Sequence, residues 1–133
     1  MKNINSLLII ILMSFVLSAC DFGKLRVGEV RMMYGSNDVD RISYDIKTFT
    51  GIEKGEIEVE PGAVIVFNYS VELDKGELFI EWQDPQGQVV WQKDFNKSIT
   101  GENEIKMVLP GTYRIFISGK GASGGFDVLW REK

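Results

Sequence analysis

From Arg41 onward, apolar and polar residues alternate with a period of two, and residues that favour turns interrupt the alternation. Ile42, Tyr44 and Ile46 point one way, while Arg41, Ser43, Asp45 and Lys47 point the other. Ile57 and Val59 alternate with glutamates up to the turn signal Pro61-Gly62. The longest alternating run, Ala63 to Leu73, aligns Ile65, Phe67, Tyr69, Val71 and Leu73 on one face. Asp74-Lys75-Gly76 predicts a turn into a strand with Leu78, Ile80 and Trp82 in phase. Asp84-Pro85-Gln86-Gly87 carries proline and glycine where a type I turn prefers them, and it leads into a strand with Val89 and Trp91. Three further runs follow: Ile105, Met107 and Leu109; Tyr113, Ile115 and Ile117; and Phe126, Val128 and Trp130. The stretch before Gly35, with Leu25, Val27 and Met33, reads as a less regular strand. No segment after residue 20 carries a helical stripe. The pattern predicts an all-β fold, an antiparallel β-sandwich or jelly roll of about eight or nine strands.

The first twenty residues follow different rules. A basic start at Lys2, an apolar run from Leu7 to Leu17 and small residues at its end describe a secretory signal. Leu7 to Ala19 is thirteen residues, two of them serine, whereas a bilayer span takes about 20 apolar residues. Leu17-Ser18-Ala19-Cys20 resembles the lipobox of bacterial lipoproteins. That resemblance implies cleavage before Cys20, diacylation of its thiol and a stable anchor, since one acyl chain alone binds only marginally. The expected organisation is a signal peptide over 1–19, a lipidated cysteine and short tether over 20–23, and one β-sandwich domain over 24–133. The expected location is the extracytoplasmic face of a cell membrane.

Charge and composition narrow the chemistry. Residues 20–133 hold 14 basic and 19 acidic side chains, formally −5, because the signal carries Lys2 and no acid. A nucleic-acid surface needs a basic stripe, so that partner is excluded. With no histidine and with its one cysteine assigned to lipid, the domain lacks the usual nucleophile–base pairs and the imidazole and thiolate ligands of zinc. No cofactor, metal or disulfide is expected, and packing alone holds the domain together.

The segment Glu77 to Trp130 brings together several short motifs: the Asp-Pro-x-Gly turn, the strand containing Val89-Val90-Trp91, and a strand opened by Pro110-Gly111-Thr112-Tyr113. It resembles the C-terminal half of small bacterial β-sandwich modules such as pre-peptidase C-terminal and GOLD-like domains. The resemblance implies a sandwich fold and a noncatalytic adhesion, binding or sorting role, and it transfers no site residue.

Several patterns are candidates for function. Gly119-Lys120-Gly121-Ala122-Ser123-Gly124 spells a dinucleotide fingerprint, yet a strand rather than a helix follows it, so it reads as a hairpin loop with Gly119, Gly121 and Gly124 as a contact surface. Asn37-Asp38-Val39-Asp40 gathers oxygen donors without the glycine and distal glutamate of a calcium loop, so solvated turn acids are expected. Glu77 and Glu81 alternate around Phe79 as on a solvated face, which assigns them no acid–base roles. Trp82, Trp91 and Trp130 are in phase with the core. Phe79, Val90, Phe116 and Leu129 are out of phase and would form an apolar strip if their strands were neighbours.

The sequence therefore points to a membrane-anchored, noncatalytic protein-interaction module at the cell envelope. The alternative is a carbohydrate-binding module, which requires two coplanar, open rings among Phe79, Trp91 and Trp130. A carboxylate-dependent hydrolase and a purely structural envelope subunit rank below both.

Overall fold

The computed structural model describes residues 29–107 and 109–133. The expected signal segment over 1–19, Cys20, the expected tether and Leu25 and Val27 lie outside the described residues. Among the described residues six strands form, all paired antiparallel: β1 (Val30–Asn37), β2 (Arg41–Val59), β3 (Val64–Gln83), β4 (Val89–Phe95), β5 (Ile99–Lys106) and β6 (Gly111–Glu132). Their order is β1-β2-β6-β3-β4, with β5 also paired to β3.

Strands β2, β3 and β6 are 19, 20 and 22 residues long, and each folds over on itself. Phe67 and Trp82 sit fifteen positions apart on β3 with ring centroids only 5.8 Å apart. A straight strand would separate them by about 50 Å. The three bent strands thus contribute to two packed layers. The first layer holds β1, β5 and residues 41–50, 64–73 and 122–132; the second holds β4 and residues 51–59, 77–83 and 111–119. Nine strand segments result among the described residues, arranged as an antiparallel β-sandwich.

Two expected turns are corrected by this arrangement. Asp74-Lys75-Gly76 bends β3 without ending it, and Gly119–Gly124 crosses between layers inside β6 and forms no hairpin loop. The ladder between the two strands shifts register twice here, as at a bulge. The backbones approach so closely that side chains are barred. A Cβ built on Gly76 (φ 77°) would lie 2.2 Å from the Gly121 carbonyl oxygen, and one on Gly124 (φ 125°) would lie 1.9 Å from that of Glu72.

The core follows the predicted alternation. Ile42, Ile65, Phe67, Trp82, Ile115, Ile117 and Val128 are buried between the layers. Trp82 meets Trp130 edge-on at 5.6 Å and 88°, and Tyr69 meets Phe95 at 5.3 Å, so the aromatic contacts cross from layer to layer. Buried Tyr113 donates its hydroxyl to the Leu109 carbonyl and accepts from the Leu109 amide, both at 3.1 Å. That anchors the chain where β5, ending at Lys106, leaves Met107 buried outside any strand and Leu109 half-buried. The turn at Asp84 forms as expected: its carbonyl accepts from Gly87, and its carboxylate accepts from the amides of Gln86 and Gln88, each at 2.9 Å. Beside β2, side chains from β1 close the gap between layers. Asn37 donates to the Lys54 carbonyl at 2.8 Å, and Arg31 joins Glu53 and Glu29. Burial opposes the charge of Arg31, but the hydrogen bond to Glu29 and the charges of both glutamates outweigh it and raise its pKa above the ordinary value.

Candidate functional site

The register of the second layer decides which residues share its outer face. Ile52, Ser118, Phe79 and Asp94 line up across β2, β6, β3 and β4, and the next row holds Lys54, Phe116, Glu81 and Gln92. Phe79 and Phe116 are therefore diagonal neighbours, a relation that puts side chains about 7–8 Å apart. Both rings are half-buried, and Ile52 beside them is exposed. Around Phe79 the surface sinks into a depression of about 290 Å³, lined by Glu77, Phe79, Asp94, Asn96, Ser118 and Lys120, with Gly119 and the buried Leu78 and Phe95 beneath. It lies against the fold line, since Glu77 follows Gly76 and Lys120 precedes Gly121. The site thus combines an aromatic ring, carboxylate and amide acceptors, and hydroxyl and ammonium donors on a hydrogen-bonded sheet.

The predicted strip is only partly assembled. Phe79 and Gly119 line the depression, and Phe116 adjoins it. Val90 stands at the far end of β4 as the extra residue of a bulge, because Trp91 pairs with Trp82 and Val89 with Gln83. Leu129 sits opposite Asn68 on the outer face of the other layer. One contiguous strip is ruled out, for the bent strands send their two halves to opposite sides. Gly121 and Gly124 serve the bend and form no contact loop. Ser118, Asp94, Asn96 and Lys120 were not singled out by the sequence, because only cross-strand register brings them to Phe79. Ile52 was legible: its odd spacing from Ile57 puts it out of phase.

The expected pair of coplanar, open rings does not form among Phe79, Trp91 and Trp130. Trp130 is buried, and Trp91, half-buried, packs edge-on against Phe67 at 4.7 Å and 77°. Of the three, only Phe79 faces outward. Glu77 and Glu81 share that outer face, where Gln83 hydrogen-bonds Glu81. Among the described residues, no group of three or more Asp, Glu, His or Cys side chains is placed to hold a metal ion. In the Asn37–Asp40 turn, Asp38 accepts from the Ser36 hydroxyl at 2.8 Å, and its amide donates to the Arg41 carbonyl.

No protein-family model matches the chain, and no curated relative matches it. Among solved structures, it is similar to a CBM4 module (11% identity, 79% of each chain, TM-score 0.49). It is also similar to TmCBM61 in complex with β-1,4-galactotriose (15% identity, 71% of this chain, TM-score 0.47), of whose length it spans just under two thirds, 66%. A third similar structure is PliG of Aeromonas hydrophila, a periplasmic inhibitor of g-type lysozyme (12% identity, 78% of this chain and 89% of that one, TM-score 0.42). At these values no function passes from those proteins to this one.

Proposed function

We propose that this chain is a noncatalytic binding module, anchored at the extracytoplasmic face of a membrane by lipid on Cys20, that takes a carbohydrate on the outer face of its second layer. With Trp91 and Trp130 turned inward, no two-ring platform supports the reading; the observation that carries it is the depression beside Phe79, where Phe116 is the diagonal neighbour. A half-buried ring lines it, and Ser118 and Asp94 flank that ring as direct cross-strand partners. A sugar offers an apolar CH face and a rim of hydroxyls, and this site presents the matching pair of surfaces. The anchor rests on Leu17-Ser18-Ala19-Cys20, which resembles a lipobox.

A glycan panel titrated against the full chain in detergent micelles tests the ligand. Saturable binding that falls at least tenfold in Phe79→Ala, with cooperative unfolding and the folded circular dichroism retained, supports the reading. Binding indifferent to Phe79→Ala, or no binding at all, removes it. For the anchor, Cys20→Ser is expected to release the protein from the membrane fraction and to abolish the acyl mass increment.

A protein partner is the second reading, and β1 favours it. This edge strand exposes Val30, Met32 and Tyr34, and its one charged residue, Arg31, is engaged by Glu29 and Glu53. Capture of an envelope protein that Tyr34→Ala releases and Phe79→Ala retains would favour it over the sugar.

A further inference from the structure

The outer face of the first layer carries a second concave feature, separate from the Phe79 depression and built from different chemistry. Two adjoining hollows of about 390 and 240 Å³ share Ser70 and Asp127. Their common axis is the row Ser43, Asp127, Ser70 and Thr100, which crosses β2, β6, β3 and β5 at right angles to the strands. Four strands span three interstrand gaps, about 14 Å. Small residues keep the trough open: hydroxyl side chains line its axis, and Gly125 separates Asp45 from Glu72.

We infer that this trough is a binding site for a neutral, extended, polyhydroxylated chain, an uncharged oligosaccharide of several units. Ser43, Ser70 and Thr100 offer hydroxyls that both donate and accept. Asp127 is held by two hydrogen bonds from Arg41, at 2.8 and 2.6 Å, which turns a mobile carboxylate into a fixed acceptor. Exposed Leu129 supplies an apolar contact beside that axis, in the row next to Asp127. Along β6, β3 and this half of β2, which make up most of the trough, the backbone is paired on both edges and cannot take part in recognition; among the described residues only β5, at the Thr100 end, has an unpaired edge. Over that length side chains must read the ligand, which suits a chain that carries its own hydroxyls better than an extended peptide seeking ladder hydrogen bonds. Charge sets the class: Asp45, Glu72 and Asp127 against the one guanidinium of Arg41 repel uronates and phosphate polymers. This site lies on the side of the sandwich away from Phe79, so it stands or falls independently of the proposed function.

The test uses the full chain in detergent micelles in a Phe79→Ala background, which silences the other face. It is titrated with neutral tetrasaccharides of glucose, galactose, mannose and N-acetylglucosamine, with tetragalacturonate as the anionic counterpart and heptalysine as the peptide control. At least one neutral tetrasaccharide is expected to bind, with affinity reduced tenfold or more by Thr100→Trp, which narrows the exposed end, and by Asp127→Asn, which changes charge with little change in shape. Unchanged circular dichroism in both variants would show that the fold survives. Three outcomes overturn the inference: no neutral sugar bound, binding unaffected by both variants, or tetragalacturonate or heptalysine bound in preference.

Discussion

On the outer face of the second layer, β3 presents Glu77, Phe79, Glu81 and Gln83; on that of the first layer, the same strand presents Asn68, Ser70 and Glu72. Strand β6 divides in the same way, showing Phe116 and Arg114 on one side and Asp127 and Leu129 on the other. One face carries aromatic rings among long charged side chains; the other is a trough of small hydroxyls with acids, of which Asp127 is held by Arg41. The two halves of a strand can diverge because the bend at Gly76 and Gly124 separates them. Each half keeps the inward alternation the core needs, while its outward positions are free to take up different chemistry. A bent strand thus gives a small domain two unlike surfaces from one hydrogen-bonded ladder.

Removing the bend is the most severe way to break this comparison. Gly124→Val would drive a branched Cβ into the Glu72 carbonyl at a positive φ, so loss of cooperative unfolding is expected, with destabilisation above about 3 kcal/mol. A variant with a normal thermal midpoint would show that the strands do not cross as described. Next in size is the seam between layers. Trp82→Ala is expected to cost about 3–5 kcal/mol in denaturant titration. Trp82→Phe should cost clearly less, because it keeps the ring contact and removes an indole N–H that has no acceptor among the described residues.

The turn leading to β4 comes third. Asp84→Ala removes the acceptor for two amides and is expected to lower stability by about 1–3 kcal/mol, with Asp84→Asn recovering part of it. A comparison of the faces themselves is finer. Phe79→Ala should cost about 1–2 kcal/mol and Leu129→Ala under about 1 kcal/mol, because the first side chain is the more buried. Equal costs would place Phe79 in solvent.

The smallest effect concerns pH. Burial, followed by the negative charge of Glu53, raises the Tyr44 phenol above its ordinary value of 10.0. The native state therefore keeps the neutral phenol while the unfolded chain ionises. That contribution is fully present below pH 10.0 and is lost as pH rises through the folded pKa. Tyr44→Phe should flatten the alkaline fall in stability, and a slope equal to that of the parent above pH 10 would refute the shift.

The alternation of Ile65, Phe67, Tyr69 and Val71, the turn at Asp84–Gly87 and the buried phase of Trp82 and Trp130 were legible because each depends on local geometry. A period-two pattern assigns faces within a strand, and a carboxylate two residues before a free amide closes its own turn. The sequence by itself also determined that residues 20–133 lack histidine and any cysteine but Cys20, which removes whole classes of chemistry. Only the tertiary structure decided that Asp74–Gly76 and Gly119–Gly124 are bends. Glycine at positive φ serves a hairpin and a bulge equally well, and the outcome depends on which distant strand the next residues pair with. The same holds for the sites. Phe79 meets Ser118, and Asp127 meets Ser70, only through register between strands far apart in sequence. A shift of one residue would have sent each of these side chains to the opposite face.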